Sequence, residues 1–160
     1  MIATAATIAP TVSTTSLARH TRTAARVVFG LAFFVFGLNG FLDFIPHPQT
    51  PPPEGAMQFA MALFRTGYMF PLIKGTEVLA GVLLLTNRFV PLALVLLAPV
   101  LVNIVAFHAF LAPAGMPIAL LALVLGVYSA WNERAAYRAL FAPARGTRLA
   151  LGSRPALSST

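Results

Sequence analysis

From Phe89 to Leu111 the chain holds no Lys, Arg, Asp or Glu, and the run from Val27 to Ile45 carries Asp43 as its one charged residue. A helix crosses the hydrocarbon core of a bilayer with about 20 apolar residues. Inside lipid, each backbone N–H and C=O must be satisfied within its own segment, which leaves a helix as the form open to such a run. An all-α integral membrane protein is therefore expected. The composition agrees, at 58% hydrophobic and 9% charged with a mean hydropathy of +0.82, whereas soluble domains carry about 25% charged residues.

Four spans are expected, at about 27–45, 71–86, 89–111 and 117–137, forming a transmembrane four-helix bundle over 25–141. Residues 1–24 and 142–160 lack a periodicity that could pack and are expected to be loose tails, the second of them basic. The apolar run at 27–45 is long and ends in FIPHP, so it reads as a span and not as a cleaved signal sequence. Gly30, Gly37 and Gly40 in this run would let another helix approach closely. The proline-rich PHPQTPPP at 46–53 cannot continue a helix. Glu54 to Phe64 is apolar around much of its circumference but too short to cross, which predicts an interfacial helix between spans one and two. Pro99 predicts a kink within span three.

Charge sets the expected orientation. The formal +7 comes from ten arginines and one lysine against four acids. Most of the arginines flank the spans, at 19, 22, 26, 134, 138, 145, 148 and 154, with Arg88 in the second connection. Cationic residues in short connections mark the cytoplasmic side, so both ends are expected inside, with Trp131 and Tyr137 at the inner boundary. This distribution points to a lipid bilayer as partner and away from nucleic acid. The absence of cysteine removes disulfides and CxxC redox chemistry.

Against this apolar background, PLIKGTEVLAGVLLLTNR (71–88) places Lys74 and Glu77 inside a span. An ionisable group near the bilayer centre costs roughly 2.5–3.5 kcal/mol and faces protein, a partner charge or water. Three residues apart, the two share a helix face. Measured along the helices, Asn39 and Glu77 lie about 9 Å and Asn103 about 12 Å below the outer ends of their spans. Asp43, Lys74 and His108 lie nearer the outer surface. Glu77, His108, Lys74, Asn103, Asn39 and Asp43 therefore form a candidate polar site in the outer half, while the inner half is apolar. The plainer reading is a Lys74 paired with Glu77 or Asp43, with the asparagines as interhelical hydrogen-bond partners of about 0.6 kcal/mol each. His108 follows Asn103 by five residues, which turns it about 140° from that face. Arg65 reads as a headgroup or loop contact, and Phe29, Phe33, Phe34 and Phe36 as a packing and lipid-facing surface. No metal-ligand spacing, phosphate loop or nucleophile triad is present in the sequence, and no catalytic residue can be named.

The run GTEVLAGVLLLTNRFVPLALVLLAPVLVNIVAFH, with Gly75, Glu77, Gly81, the basic turn at Arg88 and His108 closing the third span, resembles the DoxX family of small four-helix bacterial membrane proteins. The resemblance covers about residues 27–140. Because the grouping includes the DoxD-type subunit of thiosulfate:quinone oxidoreductase, it implies the bacterial cytoplasmic membrane and a quinone-linked role. Glu77 and His108 are the residues that carry over.

Three functions follow as expectations. The first is a membrane subunit of a quinone-linked oxidoreductase, binding quinone non-covalently in the outer-leaflet pocket. The sequence shows no haem or flavin ligand set, so electrons would come from a partner protein. The second is a non-catalytic accessory subunit of a larger membrane complex. The third is transport of a small solute or proton, against which the apolar inner half and the lack of an inverted repeat argue.

Overall fold

The computed structural model describes residues 14–46 and 50–140. Among them the secondary structure is helical: α1 (Thr14–Leu42), α2 (Glu54–Arg65), α3 (Met69–Leu85), α4 (Val90–Phe110), a 3-10 turn at Pro113–Gly115, α5 (Met116–Asn132) and α6 (Arg134–Leu140). Three stretches are long and apolar enough to cross a membrane, at Ser16–Leu42, Val90–Phe110 and Pro113–Asn132. The 17-residue α3 rises roughly 25 Å, and the chain bends by 93° between α2 and α3. These are the helices of an integral membrane protein.

α1 begins at Thr14, so residues 14–24 are helical and not the loose tail expected. Leu17, Ala18, Arg19, Ala24 and Ala25 are strong helix formers, and extending a nucleated helix adds one hydrogen bond per residue fixed. The rest of that tail and the expected tail at 142–160 lie outside the described residues. α1 stops at Leu42, three residues before the expected end. Asp43 takes a left-handed conformation with φ 49°, and the Asn39 Oδ1 accepts the Ile45 N–H at 2.7 Å, closing the helix end in the manner of a C-terminal cap. The expected fourth span is also shorter: Glu133 (φ −96°, ψ 8°) separates α5 from α6. α6 is tied back by the Tyr137 hydroxyl, which donates to the Pro91 carbonyl at 3.2 Å.

Helices α1, α3, α4 and α5 touch in a closed cycle, α1 on α3, α3 on α4, α4 on α5 and α5 on α1. In lipid, apolar side chains gain little by leaving the hydrocarbon, so such helices associate through close packing of small residues. Glycine provides that closeness between α1 and α3. A Cβ on Gly37 would stand 2.8 Å from the Glu77 Cβ, and one on Gly81 would stand 2.7 Å from the Phe34 backbone nitrogen. Phe29, Phe33, Ala80, Leu84, Ala93 and Leu97 form the centre of the packed core. α4 continues through Pro99 without interruption. The α3–α4 connection is tight because Asn87 and Phe89 both adopt positive φ, 56° and 51°. Arg26 Nη1 donates to the Leu84 carbonyl, placing a cation at the C-terminal end of α3 where the helix dipole favours it.

α2 lies over the end of the molecule that holds the α4–α5 connection. Its Phe59 ring packs on Phe107 with centroids 5.7 Å apart, and beyond the bend Phe64 stacks on Phe70 at 3.9 Å.

Candidate functional site

A cavity of about 390 Å3 lies between the helices near that same end, lined by Phe33 and Phe36 of α1, Lys74 and Glu77 of α3, Ile104 and His108 of α4, and Gly115, Ile118 and Ala119 around the start of α5. Its position follows from local sequence. Lys74 and Glu77 share a face of α3, and that face meets α1 at Gly37 and Gly40, where the lysine stem passes 2.5 Å from the position a Gly40 Cβ would take. The absence of side chains on α1 thus creates the groove in which both ionisable residues lie.

Lys74 Nζ and Glu77 Oε2 are 2.8 Å apart. The Glu77 side chain is 5% exposed and that of Lys74 21%. With its carboxylate buried, the pair holds together because each charge answers the other; removing one partner strands the other, at a cost of about 3–5 kcal/mol in deeply buried cases. The ammonium also stands 6.0 Å from the centroid of the Phe70 ring, within the range of a cation–π attraction.

His108 Nδ1 lies 2.8 Å from the Ile104 carbonyl oxygen. A carbonyl only accepts, so this bond places a proton on Nδ1 and leaves Nε2 as the nitrogen able to exchange one. The Nε2 edge of the ring packs against Gly115, where an added Cβ would overlap the imidazole. Gly115→Ala is therefore expected to rotate His108 and break its bond to Ile104, seen as loss of the protected Nδ1–H signal in a nitrogen-15 NMR spectrum. An unchanged signal would show that the ring does not depend on this glycine.

The cavity walls are otherwise apolar. Phe36 on α1 and Ile118 on α5, 56% and 72% exposed, belong both to the wall and to the outer apolar surface.

Of the six polar residues expected to form the site, Lys74, Glu77 and His108 line this cavity. Asn39, Asp43 and Asn103 do not. Asn39 serves the end of α1, Asp43 is exposed at the following turn, and Asn103 is exposed on the outer face of α4. The 140° rotation between Asn103 and His108 explains why one lines the cavity and the other does not. Arg65 is exposed beside a shallow depression formed by α2. Phe33 and Phe36, read from the sequence as packing and lipid-facing surface, also line the cavity, and Gly115 and Ala119 are wall residues that the sequence reading did not single out. Ala32, Phe33 and Phe36 fall at i, i+1 and i+4, a spacing that groups them on one helical stripe without saying which neighbour that stripe faces.

Among the described residues no three His, Asp or Glu side chains gather as a metal-binding group. Compared with protein-family models, with characterised proteins and with solved structures, the chain matches none.

Proposed function

We propose that the chain is a DoxX-like four-helix transmembrane protein, with both ends inside, that binds a quinone head group in the Lys74–Glu77–His108 cavity and serves a partner oxidoreductase of the bacterial cytoplasmic membrane. In this arrangement α3 is the short second span and α2 an interfacial helix. The observation that carries the reading is the convergence of an ion pair and a histidine from two helices on one apolar-walled cavity, two of whose wall residues, Phe36 and Ile118, are also exposed on the outer surface. Ligand sites commonly combine mostly apolar walls with a few convergent polar groups, and wall residues shared with an exposed apolar surface suit a ligand dissolved in the bilayer.

The residues fit such a group. Lys74 Nζ carries three donors, of which the Glu77 contact uses one, and can hold a carbonyl oxygen. His108 Nε2 and the Glu77 carboxylate are the groups able to hold or move a proton at the cavity wall. A bound quinone supplies the capacity to take up two electrons and two protons. Phe33 and Ala119, both buried, exclude water from the inner wall.

Mass spectrometry of lipophilic molecules retained by the mildly solubilised protein tests this reading. Wild type is expected to retain a quinone, and Glu77→Gln and His108→Ala to lose it by about tenfold, the scale of one charge-assisted hydrogen bond. Equal retention by all three proteins would remove the cavity from consideration.

One observation favours a second reading, a non-catalytic accessory subunit: Lys74 and Glu77 already satisfy one another at 2.8 Å. In that case Glu77→Gln alters stability, no quinone is found with any variant, and the same protein partners are recovered throughout.

A further inference from the structure

At the opposite end of the molecule a cleft of about 510 Å3 is walled by Arg19, Arg22 and Arg26 of α1, Asn87 of the α3–α4 turn, and Ser129, Asn132 and Glu133 at the end of α5. The three arginines fall at i, i+3 and i+7 and so line one face of α1. Three cations face one carboxylate across the cleft, and among the described residues no ion pair joins Glu133 to any of them. Arg26 spends one donor on the Leu84 carbonyl, and its guanidinium carries five.

A second observation comes from Ser129. It is 6% exposed, and its Oγ has no hydrogen-bond partner among the described residues. Three threonine hydroxyls elsewhere in the chain bond back to the carbonyl four residues earlier: Thr21 to Leu17, Thr76 to Leu72 and Thr86 to Val82. Ser129 does not take that local solution. A buried hydroxyl left without a partner costs about 1–3 kcal/mol, and this one belongs to the wall of the cleft.

We propose that this cleft is a binding site for a phosphate-bearing anion, with Arg19 and Arg22 supplying charge, Arg26 a forked donor and Ser129 Oγ a hydroxyl donor at its floor. Arginine matches the geometry of phosphate oxygens with paired N–H groups. Two sources carry this chemistry: the headgroup of an anionic phospholipid and a free phosphate. The site lies beside Trp131, exposed on the same end of α5, at the depth where a tryptophan marks the membrane boundary, and basic pockets between helices at the cytoplasmic side hold such headgroups.

The test is native mass spectrometry of the full chain in mild detergent, titrated with phosphatidylglycerol, with phosphatidylcholine and with phosphatidylglycerol in the presence of inorganic phosphate. Wild type is expected to retain phosphatidylglycerol in preference to phosphatidylcholine, with about fivefold weakening for each arginine removed in Arg19→Gln and Arg22→Gln. Ser129→Ala, which keeps the helix and its packing, is expected to weaken retention as well. Displacement by inorganic phosphate identifies the free anion as a sufficient ligand; retention in its presence identifies the lipid. Equal retention of the two lipids by wild type, or retention of phosphatidylglycerol at the wild-type level when Arg19→Gln and Arg22→Gln are combined in one variant, overturns the proposal.

Discussion

Lys74→Met is expected to destabilise the protein by about 3 kcal/mol, and Lys74→Met combined with Glu77→Leu to recover most of that loss. The reasoning rests on asymmetry of burial. Glu77 is 5% exposed at its side chain and Lys74 21%, so removing the lysine strands the more deeply buried charge. Replacing both groups with apolar side chains of similar volume leaves no stranded charge, and such exchanges are often neutral or stabilising. Glu77→Leu alone leaves Lys74, whose flexible stem can carry its ammonium toward the surface, and is expected to fall between the two. SDS titration of the three variants and the wild type gives the ranking. A double variant no more stable than Lys74→Met would show that the pair acts through other contacts than each other.

Gly81→Leu is expected to abolish recovery of folded protein, while Gly75→Ala is tolerated or slightly stabilising. The two glycines lie on the same helix, six residues apart, and differ in what a side chain would meet. At Gly81 a Cβ would lie 2.7 Å from the nitrogen and 2.8 Å from the Cα of Phe34. Backbone atoms inside a helix cannot move aside singly, so α1 and α3 must separate, and overpacking of this kind costs about 1–3 kcal/mol or more even for small insertions. At Gly75 nothing lies within 4 Å of the added atom, and alanine favours a helix over glycine by roughly 0.5–1 kcal/mol. Expression level and monodispersity in detergent separate the cases. Folded Gly81→Leu protein would mean that the α1–α3 contact does not hold the helices together.

The helices themselves were legible because lipid admits few alternatives: 23 residues without a formal charge between Phe89 and Leu111 leave little but a helix. Helix ends were less so. Asn39 reads from the sequence as a polar residue inside a span, yet it caps the end of α1, since a side-chain amide three residues before the last helical residue can reach the exposed N–H groups beyond it. The start of α1 was hidden by the polar character of Thr14–Arg26, which obscures an apolar stripe although it suits a helix.

The candidate site was half legible. Spacing alone puts Lys74 beside Glu77, because three residues separate them on one helix. Depth arguments then added Asn39 and Asn103, but helix rise fixes height and says nothing about which way a residue faces around the bundle. The rotation of each helix is set by its packing, here by Gly37, Gly40 and Gly81 against α3 or α1. Phe33 and Phe36 became wall residues through that rotation, which no periodicity within α1 specifies on its own. The cleft at the opposite end was illegible for a further reason: its arginines read correctly as flanking charge, and Ser129, 103 residues after Arg26, meets them through the α1–α5 contact.

The most direct measurement for the proposed quinone site is photo-crosslinking with an azido-quinone in native membranes, followed by peptide mapping. The expected result is labelling at 32–36, 104–108 and 115–122, suppressed by excess unlabelled quinone and lost in Glu77→Gln. Labelling confined to exposed positions outside the cavity such as Val102 and Phe110, unaffected by competitor or by the substitution, would contradict the site.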